Sequence, residues 1–280
     1  MIRSIAIYDA SDREIFFTSY ANYAINLPIV ANSILAIKDL LGKRFEEIIV
    51  GKYKLVILFE SDYSIMILAD RTNRKNELYE YAVSVNNLMS SIFGENISAI
   101  TFNDETKRNE FEDKLEELLR KIPVKITFVG SGGVGKTTMV RLLARGLIST
   151  EYIPTIFADV EKLDITIGPF AISLFTVAGQ EQYRRTWDVV SEATDIAVLV
   201  LDSTPENLRE MREIIYPRIK QLSPYARYVA IANKQDLPNA IPPSIIEEQL
   251  GLPTYGMISI NPDARDKLLG ILQKIISETP

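Results

Sequence analysis

The chain predicts an α/β architecture in two parts: a smaller α+β domain over residues 1–121, then a mostly parallel six-stranded sheet with helices on both faces over 122–280. Three observations predict this. The stretch Gly130-Ser131-Gly132-Gly133-Val134-Gly135-Lys136-Thr137-Thr138 lies between a short apolar run at 124–129 and a helical pattern at 137–148, so strand, glycine loop and helix follow one another. Near-continuous apolar runs at 196–201 and 227–232 read as strands buried on both faces of a parallel sheet. Before residue 121 the runs are instead separated by turn-type pairs such as Gly51-Lys52 and Ser61-Asp62, the pattern of antiparallel hairpins.

Length and composition set the bounds. A chain of 280 residues holds one large domain or two ordinary ones. Hydrophobic residues at 47% against 24% charged can fill a core. The net charge of −6 divides as −4 over 1–121 and −2 over 122–280, so neither half is a basic nucleic-acid surface. Having no Cys excludes disulfides and thiolate metal sites, and having no His excludes imidazole acid–base and metal chemistry. Asp9, Asp12, Arg13 and Glu14 interrupt the early apolar runs, so no signal peptide is expected. No stretch of 18 apolar residues occurs, the start is not Met-Gly and the end carries no Cys, so neither a membrane span nor a lipid anchor is expected. The expected compartment is the cytoplasm, with membrane contact only through a partner.

In the first part, 2–9 and 14–19 read as strands joined through Ser11-Asp12. Residues 27–41 read as one helix with Ile29, Val30, Ile34, Ile37, Leu40 and Leu41 apolar and Gly42 as its cap. Strands follow at 45–50, 54–59 and 64–69. The helix 77–93 keeps Leu78, Tyr81, Ala82, Val85, Leu88, Met89 and Ile92 at a 3–4 spacing. A strongly charged helix at 105–121, stopped by Pro123, reads as a solvated connector to the second part, or more sharply as a rigid arm. Asp9, Asp12, Glu46 and Glu47 read as solvated surface, and Phe16, Phe17, Tyr20 and Tyr23 as core packing. No catalytic constellation occurs here. The order β-β-α-β-β-β-α resembles the longin/roadblock-type domain. That resemblance implies one five-stranded antiparallel sheet carrying helices, in a domain that serves small GTPases as partner or regulator.

The glycine loop carries the chemistry. Gly130, Gly135, Lys136 and Thr137 satisfy G-x-x-x-x-G-K-[ST]. Glycines let the backbone curl so that successive N–H groups of Gly132, Gly133, Val134 and Gly135 face phosphate oxygens. The following helix adds its free N–H groups and positive dipole end, reaching Thr138. Lys136 brings a full charge to the β- and γ-phosphates, and the Thr137 hydroxyl is a Mg²⁺ ligand. A second motif, Asn233-Lys234-Gln235-Asp236, follows the buried strand at 227–232. A carboxylate at Asp236 accepts from guanine N1–H and the 2-amino group. Adenine offers neither donor, so it would leave that carboxylate unpaired. Lys234 packs its stem along the base and Asn233 braces the loop.

Together these motifs resemble the small GTPases of the Ras superfamily, over roughly 123–280. Ile153-Pro154-Thr155-Ile156, Asn233 to Ala240 and Leu250-Gly251-Leu252 resemble its Arf branch. The resemblance implies a P-loop GTPase fold that binds GTP/GDP with Mg²⁺. It makes Thr155 of the first switch the second Mg²⁺ ligand and γ-phosphate sensor, with Ser149 and Thr150 as lesser alternatives. In the second switch it has Gly179 offer its N–H to the γ-phosphate and Gln180 orient the attacking water. Ser259 and Ile260, in a predicted last strand at 257–260, take the place of the loop that touches the base. The family's Asp falls at Thr176 here. The string Thr176-Val177-Ala178-Gly179-Gln180 resembles the bacterial polarity GTPases of the MglA type, and a neutral Thr implies weaker Mg²⁺ binding and slow turnover. Arg184 or Arg185 could supply transition-state charge. The implied function is a slow GTP-hydrolysing switch with the first domain regulating it or recruiting partners in cis. The alternatives are a nucleotide-locked scaffold and an ATP-using P-loop enzyme with no switch function, against which Asp236 argues. Implied partners are effectors and GTPase-activating or exchange factors, including longin/roadblock proteins.

Overall fold

The computed structural model describes residues 1–41, 44–94, 102–144, 160–177 and 194–278. The chain divides into two compact units, Met1–Ile122 together with the last residues from Ser277, and Pro123–Ile276.

The first unit is one antiparallel sheet. Its strands are β1 (Ile2–Asp9), β2 (Glu14–Ser19), β3 (Phe45–Val50), β4 (Tyr53–Phe59) and β5 (Tyr63–Asp70). The spatial order is β2-β1-β5-β4-β3, with every neighbouring pair antiparallel. Strands β1 and β5 are buried along their whole length, so both faces of the sheet are covered. On one face Ala6, Tyr8, Leu55, Ile57, Met66 and Leu68 pack with Leu27, Ala31, Ile34 and Leu35 of α1 (Leu27–Leu35). Helix α3 (Lys75–Phe93) buries Leu78, Tyr81, Ala82, Val85, Met89 and Phe93 against β4 and β5.

Several expectations for this unit change. The helix expected over 27–41 is two pieces, α1 and α2 (Lys38–Leu41), because the Ile37 N–H closes on the Ile34 carbonyl at 3.0 Å, a three-residue step that tightens the turn. Its expected cap, Gly42, lies outside the described residues. Asp9 is not solvated surface: it is 6% exposed and its carboxylate accepts from the N–H groups of Ser11 and Arg13 and from Arg13 Nε. It holds the β1–β2 turn, where Asp12 takes a positive φ of 59°. Of the aromatic stretch, Phe16 is core whereas Phe17 is exposed.

The charged helix α4 (Glu105–Leu119) is not simply a solvated connector. Phe111, Leu115 and Leu119 recur every four residues and are buried. Phe111 meets Phe16 edge-on at 5.2 Å, and Phe93 stacks on Phe102 at 4.2 Å. Asp104 caps the helix by accepting from the N–H groups of Thr106 and Lys107. A buried ion pair sits at the start of β1. Arg3 Nε and Nη2 donate to the two carboxylate oxygens of Asp70 at 2.8 and 3.1 Å. Arg3 Nη1 donates to the carbonyls of Asn22 and Glu278, so the fork is satisfied on all sides.

The second unit has a six-stranded sheet ordered β11-β10-β9-β6-β8-β7. The strands are β6 (Val124–Val129), β7 (Val160–Ile167), β8 (Phe170–Val177), β9 (Ile196–Asp202), β10 (Arg227–Asn233) and β11 (Thr254–Gly256). All pairs are parallel except β7 with β8, which forms a hairpin. The expected mostly parallel sheet with helices is therefore present. Helices α5 (Lys136–Ala144), α6 (Pro205–Glu210), α7 (Tyr216–Leu222), α8 (Pro243–Leu250) and α9 (Ala264–Ser277) pack around it. Val129, Ala197, Leu199, Leu201, Leu208, Met211, Ile246 and Leu250 belong to one buried cluster.

Three local details differ from expectation. The helix expected near 206–222 contains a wide π turn, Met211–Ile215, in which the Tyr216 N–H bonds the Met211 carbonyl five residues back. Pro217 explains it: proline offers no N–H to the Glu213 carbonyl and its ring would strike that oxygen. The last strand is Thr254–Gly256, not 257–260. Backbone bonding to the end of β10 continues through Met257, whose N–H reaches the Ala232 carbonyl at 2.8 Å, and the Ser259 N–H then turns to the Asn233 side chain. Helix α8 had no sequence expectation, although Pro243 at its start and Gly251 (φ 65°) at its end are the usual start and stop signals.

Candidate functional site

The site lies where the parallel strands end. Strand β6 delivers the glycine loop and α5 begins at Lys136, so the predicted strand-loop-helix context is real. Two glycines are dictated by their surroundings. A Cβ at Gly130 would strike the Val200 carbonyl oxygen, so the loop leaves β6 flush against β9. Gly135 has φ 108° and a Cβ there would strike the Asn233 amide nitrogen. The crown between them is open: Cβ atoms at Gly132 and Gly133 would meet nothing within 4 Å. The loop is a cradle with fixed legs and an open top, which suits an anion held by backbone N–H groups.

Lys136 is buried, 7% exposed, and its Nζ donates to the carbonyls of Gly130 and Ser131 at 2.6 and 2.7 Å. Burial lowers its pKa from the ordinary 10.5 to about 8. The ammonium is thus held beside the cradle. Thr137 is half-buried in the first turn of α5, and Thr138 beside it is exposed. Val134 is buried, and its carbonyl accepts from Asn233 Nδ2 at 2.8 Å.

Asn233 is the hub of the site. Besides Val134 O, its Nδ2 reaches Ser259 Oγ at 3.1 Å, while its Oδ1 accepts the Ser259 N–H at 3.0 Å. One fully used amide therefore ties the glycine loop, the end of β10 and the 259–260 turn together. Lys234 takes a left-handed φ of 58°, and its Nζ approaches Asp202 Oδ2 at 3.5 Å. Asp236 is exposed at the end of the same turn. Ile260 is 78% exposed beside the buried Ser259. A cleft of about 390 Å³ opens here, lined by Thr138, Arg141, Leu142, Ser259, Ile260, Asn261 and Pro262.

The structure thus brings together Gly130 through Thr138, Asn233, Lys234, Asp236, Ser259 and Ile260. Thr155, Gly179 and Gln180, with the alternatives Ser149 and Thr150 and the candidates Arg184 and Arg185, lie outside the described residues. Thr176 is buried near the end of β8, paired in register with Phe128. Among the described residues no group of three acidic side chains could hold a metal. A Mg²⁺ ion here would rely on hydroxyls such as Thr137, on water and on phosphate oxygens. The open cradle, the buried ammonium and the helix start fit a nucleotide polyphosphate.

Two supports escaped sequence reasoning. Ser203 Oγ donates to the Asn233 carbonyl at 2.6 Å and accepts from Gln235 Nε2 at 2.6 Å. Ser131 Oγ donates to Glu210 Oε2 at 2.7 Å. Both join residues dozens of positions apart, and no spacing in the chain signals them.

Fold and site define a P-loop nucleotide-binding domain. The family model for the ADP-ribosylation factor family matches residues 111–268, more than half of the chain. ADP-ribosylation factor-like protein 5 of Caenorhabditis elegans is 32% identical over 133 residues, 46% of this chain and 72% of that protein. ADP-ribosylation factor-like protein 8b of Arabidopsis thaliana is 26% identical over 140 residues, 49% of this chain and 75% of that protein. The chain belongs to the ADP-ribosylation factor family.

Proposed function

We propose that the chain is a guanine-nucleotide switch that hydrolyses GTP to GDP slowly, with the first unit regulating the cycle or recruiting partners in cis. Family membership supports a GTP-binding switch in general. The observation that carries the reading for this chain is the Asn233 amide, which fixes the phosphate cradle and the base loop in one frame. In this reading Lys136 and the 130–135 N–H groups hold the phosphates, and Thr137 and Thr155 ligate Mg²⁺. Asp236 accepts from the guanine edge, with Lys234 along the base and Ser259 and Ile260 beside it. Gly179 senses the γ-phosphate and Gln180 orients water, so that in-line attack needs no covalent intermediate on the protein.

Slow turnover follows from Thr176. A neutral, buried side chain stands where an anion would support the metal, as in the MglA-type second switch. The same observation favours one other reading, a scaffold that binds nucleotide and barely hydrolyses it. The sheet order β2-β1-β5-β4-β3 with helices on both faces supports a longin/roadblock-like first unit. The partners proposed are effectors and activating or exchange factors, in the cytoplasm.

The test is GDP and GTP affinity on the full chain with ATP as competitor and Mg²⁺ varied, followed by single-turnover hydrolysis. Guanine-only binding with measurable turnover supports the switch, and guanine-only binding without turnover supports the scaffold. Failure to prefer guanine removes both.

A further inference from the structure

The glycine loop is held on its exit leg by Asn233 Nδ2 at the Val134 carbonyl. Its entry leg has a different brace, from the end of α6. Ser131 is buried, 8% exposed, and carries two anchors at once. Its carbonyl accepts from Lys136 Nζ at 2.7 Å and its hydroxyl donates to Glu210 Oε2 at 2.7 Å. The hydroxyl bond runs to an anion, the stronger kind of acceptor. Between the braced legs the crown is open: Cβ atoms at Gly132 and Gly133 would meet nothing within 4 Å. The direction of their N–H groups is therefore set from Ser131 on one side and Val134 on the other.

Glu210 is well placed to act as a fixed post. It ends α6, whose start is pinned: Thr204 caps the helix at the Asn207 N–H and donates Oγ1 to Asp202 Oδ1 at 2.7 Å. Asp202 in turn meets Lys234 of the base loop. The wide π turn begins at the next residue, Met211, which is fully buried. One short helix thus touches the phosphate loop at its end and the base loop through its cap.

We propose that Glu210 is a positioning residue for nucleotide binding, acting through the hydroxyl of Ser131. Its carboxylate fixes the Ser131 peptide, and with it the seat of Lys136 and the first N–H groups of the cradle. The inference rests on the reading that the loop binds guanine nucleotide. A carboxylate beside an anion site would otherwise only repel its ligand, so its place there is accounted for by what it holds.

The experiment is the rate of fluorescent GDP release from the full chain, with thermal melts recorded alongside. Ser131→Ala and Glu210→Ala should each speed release about three- to ten-fold, the effect of one lost hydrogen bond. The double variant should release no faster than the faster single one, because both act through the same bond. Glu210→Gln keeps an acceptor oxygen and should stay within about two-fold of the parent. Singles without effect, or a double variant whose effect is the product of the singles, would overturn the inference while leaving guanine binding intact. Release by Glu210→Gln as fast as by Glu210→Ala would also overturn it, by replacing the bond with a charge effect. A parent chain that fails to bind GDP would overturn the nucleotide reading and the inference together.

Discussion

Asp236 owes its proposed role to an exposed position at the end of a turn whose first residue, Asn233, is buried and fully bonded. Two hydrogen bonds from guanine to one carboxylate are at stake. Asp236→Ala should therefore weaken GDP binding about 100-fold or more and remove most of the advantage over ADP; competition titration reads both. Thr176 makes the opposite kind of prediction. On the proposed reading, Thr176→Asp places an anion near the metal and should tighten Mg²⁺-dependent GTP binding, read by titrating Mg²⁺ at fixed nucleotide; equal dependence in both proteins would remove the proposed account of slow turnover. Asp9 acts on stability. Burial opposes its charge, but the Arg13 N–H and guanidinium and the Ser11 N–H outweigh burial and hold its pKa below the ordinary 3.8. A carboxylate lowered in the folded state stabilises above pH 3.8, and that contribution disappears as pH falls further. Asp9→Asn should thus be less stable than the parent at pH 7 and converge on it below about pH 3.8, as denaturant midpoints across pH would show.

Among the elements, helix α4 shows how charge can hide a packing face. Its residues are mostly charged, yet Phe111, Leu115 and Leu119 lie on one stripe and are buried. Phe111→Ala should cost about 3–5 kcal/mol, since it empties a ring site shared with Phe16, Phe93 and Phe102. Chemical unfolding followed by circular dichroism checks this, and a cost under about 1 kcal/mol would mean α4 is the solvated connector its composition advertises. The strand at 254–256 and the π turn at 211–215 teach a related lesson. Apolar periodicity located both segments to within a few residues. Past Met257 the first hands its Ser259 N–H to a side-chain amide 26 positions away in sequence, and what widened the second was a missing N–H at Pro217.

At the scale of the whole molecule, the chain couples a nucleotide-binding unit with an antiparallel-sheet unit that also includes Ser277 and Glu278. If the first unit regulates in cis, a chain lacking 1–121 should differ from the full chain in GDP release or in single-turnover hydrolysis. Identical rates in both would leave recruitment as the first unit's remaining role. Much of this organisation was legible beforehand. The glycine loop, the Asn233–Asp236 turn and the buried apolar runs are local signals, because phosphate binding needs contiguous N–H groups and a parallel strand needs an unbroken apolar run. Local pattern therefore foretells the antiparallel sheet of the first unit and the mostly parallel six-stranded sheet of the second, and it names the residues proposed for the cradle and the base loop. The folded chain alone reveals that Asn233 joins those loops, that Ser203 and Glu210 support them, and that Phe111 of α4 meets Phe16 and Phe93. The physical reason is that a side-chain hydrogen bond or a ring contact between distant residues obeys no period along the chain, and exists only once the fold has brought its partners together.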